Sequence, residues 1–359
     1  MTAYYLLVFG VLAAAAFLHG GRPKNKTYIL IACLMLFAVY GLRSAYLLGA
    51  DTSSSYLHMY QRMPTTDWQS VNPFARGEYN TLFYFTAKVF AELHLDYQWF
   101  VSAIAVFVTV SYGHWIYRYS VNPVQSILYF FGLMQFTLHF NILKQSLAMA
   151  ILLWAFDGLT DRKLLKYLLL VALAALFHFP SAVFLPAYWI SKIKSGRMYV
   201  VFLLVALVLV ARFREQILRL MVSFYETNIG VTSARFIGNK VIVMLAIVGT
   251  GFLLRLPTKE DGLYTTLLQF MGVAILFQTF AYYNNTFERL ADYYFQFGIL
   301  LIPMIFERGA DRSTIIPPRA IATVNDVGSL AFCGFAIWRF LTTVARDPTL
   351  TPFKFFFQS

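Results

Sequence analysis

Apolar runs close to the length of a bilayer crossing recur along this whole chain, and the polar residues between them are few and sharply placed. About twenty apolar residues span a hydrocarbon core. Backbone inside that core must satisfy its own hydrogen bonds, which a helix does. The pattern therefore predicts an all-α polytopic membrane protein, with residues 1–359 forming a single integral membrane domain. Composition agrees: 13% of residues are charged, where a soluble domain carries about 25%.

The spans read as 3–19, 27–43, 97–117, 123–139, 143–159, 164–178, 180–191, 198–212, 239–256, 264–283, 289–306 and 326–344, about twelve in all. The stretch 79–93 is apolar but short, and it holds Lys88 and Glu92. It is expected to be a re-entrant or interfacial helix that returns to the side it came from. Charge requires this. If 79–93 does not cross, one side collects Arg22, Lys24, Lys26, Arg118, Arg162, Lys163, Lys166, Lys192, Lys194, Arg197, Arg255, Lys259, Arg308, Arg312 and Arg319. By the positive-inside rule that side is cytoplasmic, and both chain ends fall outside. The same rule accounts for the net charge of +12 without nucleic acid. The first segment has no basic run ahead of it and basic residues behind it, so it reads as a retained helix. Cys33 and Cys333 lie in apolar runs and read as small buried thiols. The last helix carries an interior Arg339, and its Phe-rich tail 352–357 has a membrane-surface position as an alternative.

Two long loops face outward, 44–78 and 213–238. Around them six polar residues stand at the ends of apolar helices: Arg43, Asp51, Glu78, Lys144, His178 and Arg289. A charge at a helix centre costs roughly 2.5–3.5 kcal/mol on the translocon scale, so six such groups expected on one face read as a site. Arg43 ends the second span; it is either a snorkelling anchor or a cation held by Asp51 or by an anion. Lys144 and Gln145 open the fifth span, where free N–H groups already favour anions. His178 sits in Phe177-His178-Phe179-Pro180, as a turn cap or a general base. Arg289 and Tyr293 are four apart on one expected helix face, and Glu288 is either a surface partner of Arg289 or part of the site. Tyr56 and Trp68 offer rings for stacking on sugars. The sequence has no nucleotide-binding loop, no dinucleotide fingerprint, no zinc spacing and no nucleophile elbow. A cluster of cations with a few acid–base groups suits a lipid-linked phosphate or diphosphate.

The order of these residues resembles the EpsG family of Wzy-like polymerases. The matching stretches are Gly41 to Arg43, Gly49 to Tyr56, Glu78, Asn141 to Ala148, Arg162 to Lys166, Phe177 to Ala182 and Arg289 to Tyr294. Two positions depart from the family pattern: Lys144 stands where Arg is usual, and Gly77-Glu78-Tyr79-Asn80 replaces a Glu-Pro motif. The resemblance implies a GT-C-like fold and a metal-independent glycosyltransferase, without cofactor, at the outer face of the bacterial inner membrane. Its donor is a glycan on undecaprenyl diphosphate and its acceptor a lipid-linked repeat unit; a chain-length regulator is a further partner. On that reading Arg43, Lys144 and Arg289 bind diphosphate, and His178 is the base, with Asp51 or Glu78 as competitors. Tyr56, Trp68, Gln145 and Tyr293 contact substrate. A flippase for lipid-linked sugars is the main rival, but repeat symmetry and midplane charges are not evident. A polysaccharide acyltransferase is the third reading.

Overall fold

A computed structural model describes residues 1–18, 26–74, 81–193, 239–255, 261–281, 285–307 and 318–358, with short pieces between 205 and 216. Glu78, most of the 198–212 span and nearly all of the 213–238 loop lie outside the described residues. The described residues are helical, and among them one isolated bridge, Arg43 with Phe355, is the extent of β pairing. They form two compact units. One comprises Met1–Ala182 and Ala331–Ser359, the other Val183–Leu330.

The first unit is a series of neighbouring helices. Helices α1 (Thr2–Leu18), α2 (Lys26–Tyr40), α5 (Tyr97–Tyr119), α8 (Leu143–Thr160) and α9 (Leu164–Phe177) pack each against the next. Three residues join α8 to α9. Arg162, at φ 59°, takes the left-handed conformation that ends α8, and Lys163 N–H donates to the Gly158 carbonyl at 2.8 Å. That is the usual way a helix turns sharply, and it sets the start of α8 beside the end of α9.

Among the described residues, three helices are long and apolar enough to cross a membrane: Tyr97–Tyr119, Gly262–Phe280 and Ala322–Arg346. Several shorter apolar helices, including α1, α2 and α9, accompany them, so the chain is a multi-pass membrane protein. Helix α4 (Leu82–Glu92) has 11 residues and rises about 16 Å, roughly half of a hydrocarbon core of about 30 Å. Short helical pieces fill the loop ahead of it: a π turn at Thr52–Tyr56, α3 (Leu57–Arg62), and 3₁₀ turns at Met63–Thr65 and Trp68–Val71.

Several expected spans are interrupted. The 123–139 run divides into α6 (Pro123–Gly132) and α7 (Gln135–Leu138), with Met134 left-handed at φ 60° between them. The cause is tertiary. Gly132 abuts Ala336 too closely to carry a Cβ, and the Arg339 guanidinium donates to the Gly132 carbonyl that the break leaves open. The interior arginine of the last span is thus the cap of another helix. The 180–191 run is a 3₁₀ stretch, Phe179–Phe184, followed by α10 (Ala187–Ile190).

The second unit packs α11 (Asn239–Leu254), α12 (Gly262–Phe280), α13 (Asn285–Phe295) and α14 (Gly298–Ile305) around α12. The expected 289–306 span breaks at Gln296 and Phe297. The Gln296 amide donates to the Tyr293 carbonyl at 3.1 Å, and Pro303 inside α14 removes one donor from the helix ladder. Helix α15 (Pro318–Arg346) is divided between the units. The tail after α15 does not lie apart from the fold: Tyr4 Oη donates to the Leu350 carbonyl at 3.0 Å, and the Phe356 N–H to the Leu42 carbonyl at 3.0 Å.

Candidate functional site

Arg43 stands at the centre of the first unit's polar end, just beyond α2, with 0% exposure. One Nη donates to the Tyr40 carbonyl at 2.8 Å and the other to the Phe140 carbonyl at 2.9 Å, with Thr52 Oγ1 at 3.5 Å. The guanidinium carbon lies 5.0 Å from the Tyr40 ring centre and 4.6 Å from that of Phe140. Carbonyl dipoles and aromatic faces thus offset the desolvation of this cation. In this placement Arg43 offers no surface to a diphosphate; it fastens two loops together.

The loops it fastens carry the other candidates. Asp51, half-buried, immediately precedes Thr52, whose hydroxyl also donates to the Phe140 carbonyl. Asn141 Oδ1 accepts from the Ala50 N–H at 2.6 Å. Gly49 takes φ 90°, and a Cβ there would strike the Phe140 carbonyl oxygen, so the turn before Asp51 needs glycine twice over. Gln98 and Ser102 on α5 both donate to the Gly41 carbonyl, at 3.0 and 2.7 Å. The Gly41-to-Asp51 segment is therefore held from α5 and from the turn at Phe140 and Asn141.

Lys144 is in the first turn of α8 and half-buried. Its Nζ donates to Tyr84 Oη at 3.0 Å and lies 4.7 Å from that ring's centre. Its partner among the described residues is thus neutral. Gln145 beside it is buried, with its amide 3.8 Å from the Met149 sulfur. Tyr56 packs edge-on against Phe83 at 5.4 Å, and Phe83 against Tyr84 at 5.8 Å. A contact chain thus joins Tyr56 to Lys144 through α4. Trp68 is 45% exposed and anchored on the same helix: the Lys88 ammonium lies 5.4 Å from its ring, and Phe85 lies 5.7 Å away. Lys88 itself is 3% exposed, donates to the Met63 carbonyl at 2.9 Å and pairs with Glu92.

His178 ends α9. Its N–H donates to the Ala174 carbonyl and its carbonyl accepts from Ser181, both at 2.9 Å. Its backbone is therefore a turn cap, while its half-buried side chain stands at the Lys144 end of the α8–α9 pair. The first unit thus gathers Arg43, Asp51, Tyr56, Lys144, Gln145 and His178 at one end. The opposite end of the same helices holds ion pairs: Asp157, 2% exposed, takes Arg118 at 3.1 Å and Tyr119 Oη at 2.6 Å.

In the second unit Arg289 is exposed on α13 and Tyr293 is 0% exposed, so Tyr293 presents no open surface. Glu288 has a basic partner on another helix. It joins Asp292 around Lys240, at 3.2 and 2.6 Å. Glu78 lies outside the described residues.

Sequence reading missed Tyr84, Thr52 and His139. Thr52 was overlooked beside Asp51. His139 fell inside a predicted span, yet it is 0% exposed with Nδ1 2.9 Å from Ser146 Oγ. A polar residue inside an apolar run was the signal available for it.

No curated protein and no solved structure matches the chain. A family model does, over residues 26–343, and its description is EpsG family. That segment covers α2 to α15 and every motif residue above, and so the chain belongs to the EpsG family, a family of Wzy-like polymerases.

Proposed function

We propose that the protein polymerises a polysaccharide by moving a growing glycan from undecaprenyl diphosphate onto a lipid-linked repeat unit. Family membership over residues 26–343 carries this reading. The acceptor hydroxyl attacks the anomeric carbon, the carbon–oxygen bond to the diphosphate breaks, and the electron pair leaves with polyprenyl diphosphate. The configuration inverts, and fixed cations rather than a metal stabilise the departing charge.

Lys144 is the residue assigned to that charge. It combines a helix N-terminus, partial exposure and a neutral tyrosine partner. Arg43 becomes a positioning residue, which holds the Asp51 loop against the Asn141-to-Lys144 turn. His178 or Asp51 takes the hydroxyl proton, Glu78 remaining a competitor. Arg289, exposed on α13, keeps its diphosphate assignment as a separate test. The twelve-span topology, the GT-C likeness and an outward-facing site in the inner membrane belong to the same proposal. The positive loops support the orientation.

The decisive test is Lys144→Ala, scored by polymer length and by the lipid-linked intermediates. Unpolymerised lipid-linked repeat units are expected to accumulate at normal protein level. Polymer of ordinary length from this variant would remove Lys144 from the mechanism.

A further inference from the structure

His139 is a buried titratable residue that the proposed reaction does not use. It ends α7 and has 0% exposure. Its ring centre lies 5.2 Å from that of Tyr112, 6.0 Å from Phe130 and 6.3 Å from Tyr40. Its Nδ1 is hydrogen-bonded at 2.9 Å to Ser146 Oγ, near the start of α8. Among the described residues its Nε2 has no hydrogen-bond partner. Leucine would sit among these rings without burying an unpaired polar atom, so what histidine adds here is the bond to Ser146.

We propose that His139 is a positioning residue for polymerisation, which sets the start of α8, and with it the Lys144 ammonium, through its bond to Ser146. The proposal rests on the role assigned to Lys144 above and adds what holds that lysine in place. His139 and Ser146 are seven residues apart, and Asn141 and Lys144 lie on the chain between them. Their bond therefore closes a loop around the cation. The first end of that loop is already fixed. Tyr40 Oη donates to the His139 carbonyl at 2.9 Å, and Arg43 donates to the carbonyls of Tyr40 and Phe140 together. These contacts place the backbone of the turn as far as Phe140. The bond from His139 Nδ1 carries that placement across to α8, two residues beyond Lys144. A charge-stabilising group acts only from the right position, and a displacement of about 1 Å can cost ~10²-fold in rate.

The test measures the polymerisation rate of full-length protein in nanodiscs, with thermal unfolding of each variant alongside. The probe is the lipid-linked repeat unit extracted from a strain that lacks this protein. His139→Leu and Ser146→Ala remove the bond from its two ends, and each is expected to lower the rate by about tenfold or more. Ser146→Ala deletes a single oxygen and carries the test if His139→Leu does not fold. His139→Asn is expected to restore most of the rate, since a carboxamide presents both a donor and an acceptor near the place of Nδ1. In a Lys144→Ala background, Ser146→Ala is expected to lower the rate no further, because its effect runs through the lysine. A wild-type rate in Ser146→Ala overturns the positioning role and leaves the polymerase reading intact. So does a His139→Asn protein as slow as His139→Leu, and so does a further loss on top of Lys144→Ala, which a general weakening of the fold would give. A wild-type rate in Lys144→Ala alone overturns the assignment of Lys144, and the positioning role with it.

Discussion

At the scale of single residues, the two cations of the first unit divide labour by burial. Lys144 reaches the surface and touches a tyrosine hydroxyl. Arg43 is sealed on two carbonyls. Their substitutions should therefore fail in different ways. Lys144→Ala is expected to lower polymerisation by ~10²–10³ with an unchanged melting temperature, and Lys144→Arg to preserve it, since either cation supplies the charge. Arg43→Ala is expected to lower the melting temperature as well. It strips a donor from the Tyr40 carbonyl and leaves Phe140 with Thr52 alone, at about 1–3 kcal/mol for an unsatisfied buried group. Thermal unfolding of both purified variants decides the matter: an Arg43→Ala protein as stable as wild type would contradict the positioning role. The sequence marked both residues as unusual for the outer face. It could not separate them, because what fixes Arg43 is a pair of backbone carbonyls, and a carbonyl has no residue signature. The Asp51 side chain was the partner visible in the sequence.

At the scale of elements, the apolar runs located the helices well but not their breaks. The runs expected at 97–117, 143–159 and 164–178 emerged as α5, α8 and α9 within one or two residues. The runs at 123–139 and 289–306 each broke in two. Their hydropathy is continuous, and the causes, Arg339 on the Gly132 carbonyl and Gln296 on the Tyr293 carbonyl, come from packing or from a side chain folding back. Helix α4 was legible through its length alone. With 11 residues it is expected to return to the side it leaves. Ser54→Cys and Leu93→Cys, each in a background with Cys33 and Cys333 replaced by alanine, should both react with a membrane-impermeant maleimide added from outside. Reaction at Ser54→Cys with protection at Leu93→Cys would mean that the segment crosses, and the charge assignment of every later loop would invert. The Arg339 cap makes a second prediction at this scale. Arg339→Leu suits a lipid environment better than arginine, yet it should lower thermal stability, because it opens the Gly132 carbonyl at the α6–α7 break.

At the scale of the whole molecule, the first unit is closed by the chain returning to its own beginning. Three backbone hydrogen bonds lay the tail along the Leu42-to-Gly49 segment: Phe356 N–H to Leu42, Ser44 N–H to Lys354 and Gly49 N–H to Thr349, at 2.9–3.0 Å. The segment so held contains Arg43 and leads directly into Asp51. Nothing in the tail's composition announced this, since four phenylalanines read equally well as a membrane-surface patch. The pairing is made by backbone groups, which any sequence carries. Ending the chain after Arg346 should therefore abolish polymerisation although it removes nothing within residues 26–343. Loss of one bond separates this role from general destabilisation. Phe356→Pro deletes the N–H that reaches Leu42, whereas Phe356→Ala keeps it and removes only the ring. The proline variant is expected to lose most of its polymerisation and the alanine variant to retain most of it, at equal protein levels in the membrane. Equal activity in the two would show that the hydrogen bond to Leu42 is dispensable, and the loop would then owe its position to Arg43, Gln98 and Ser102.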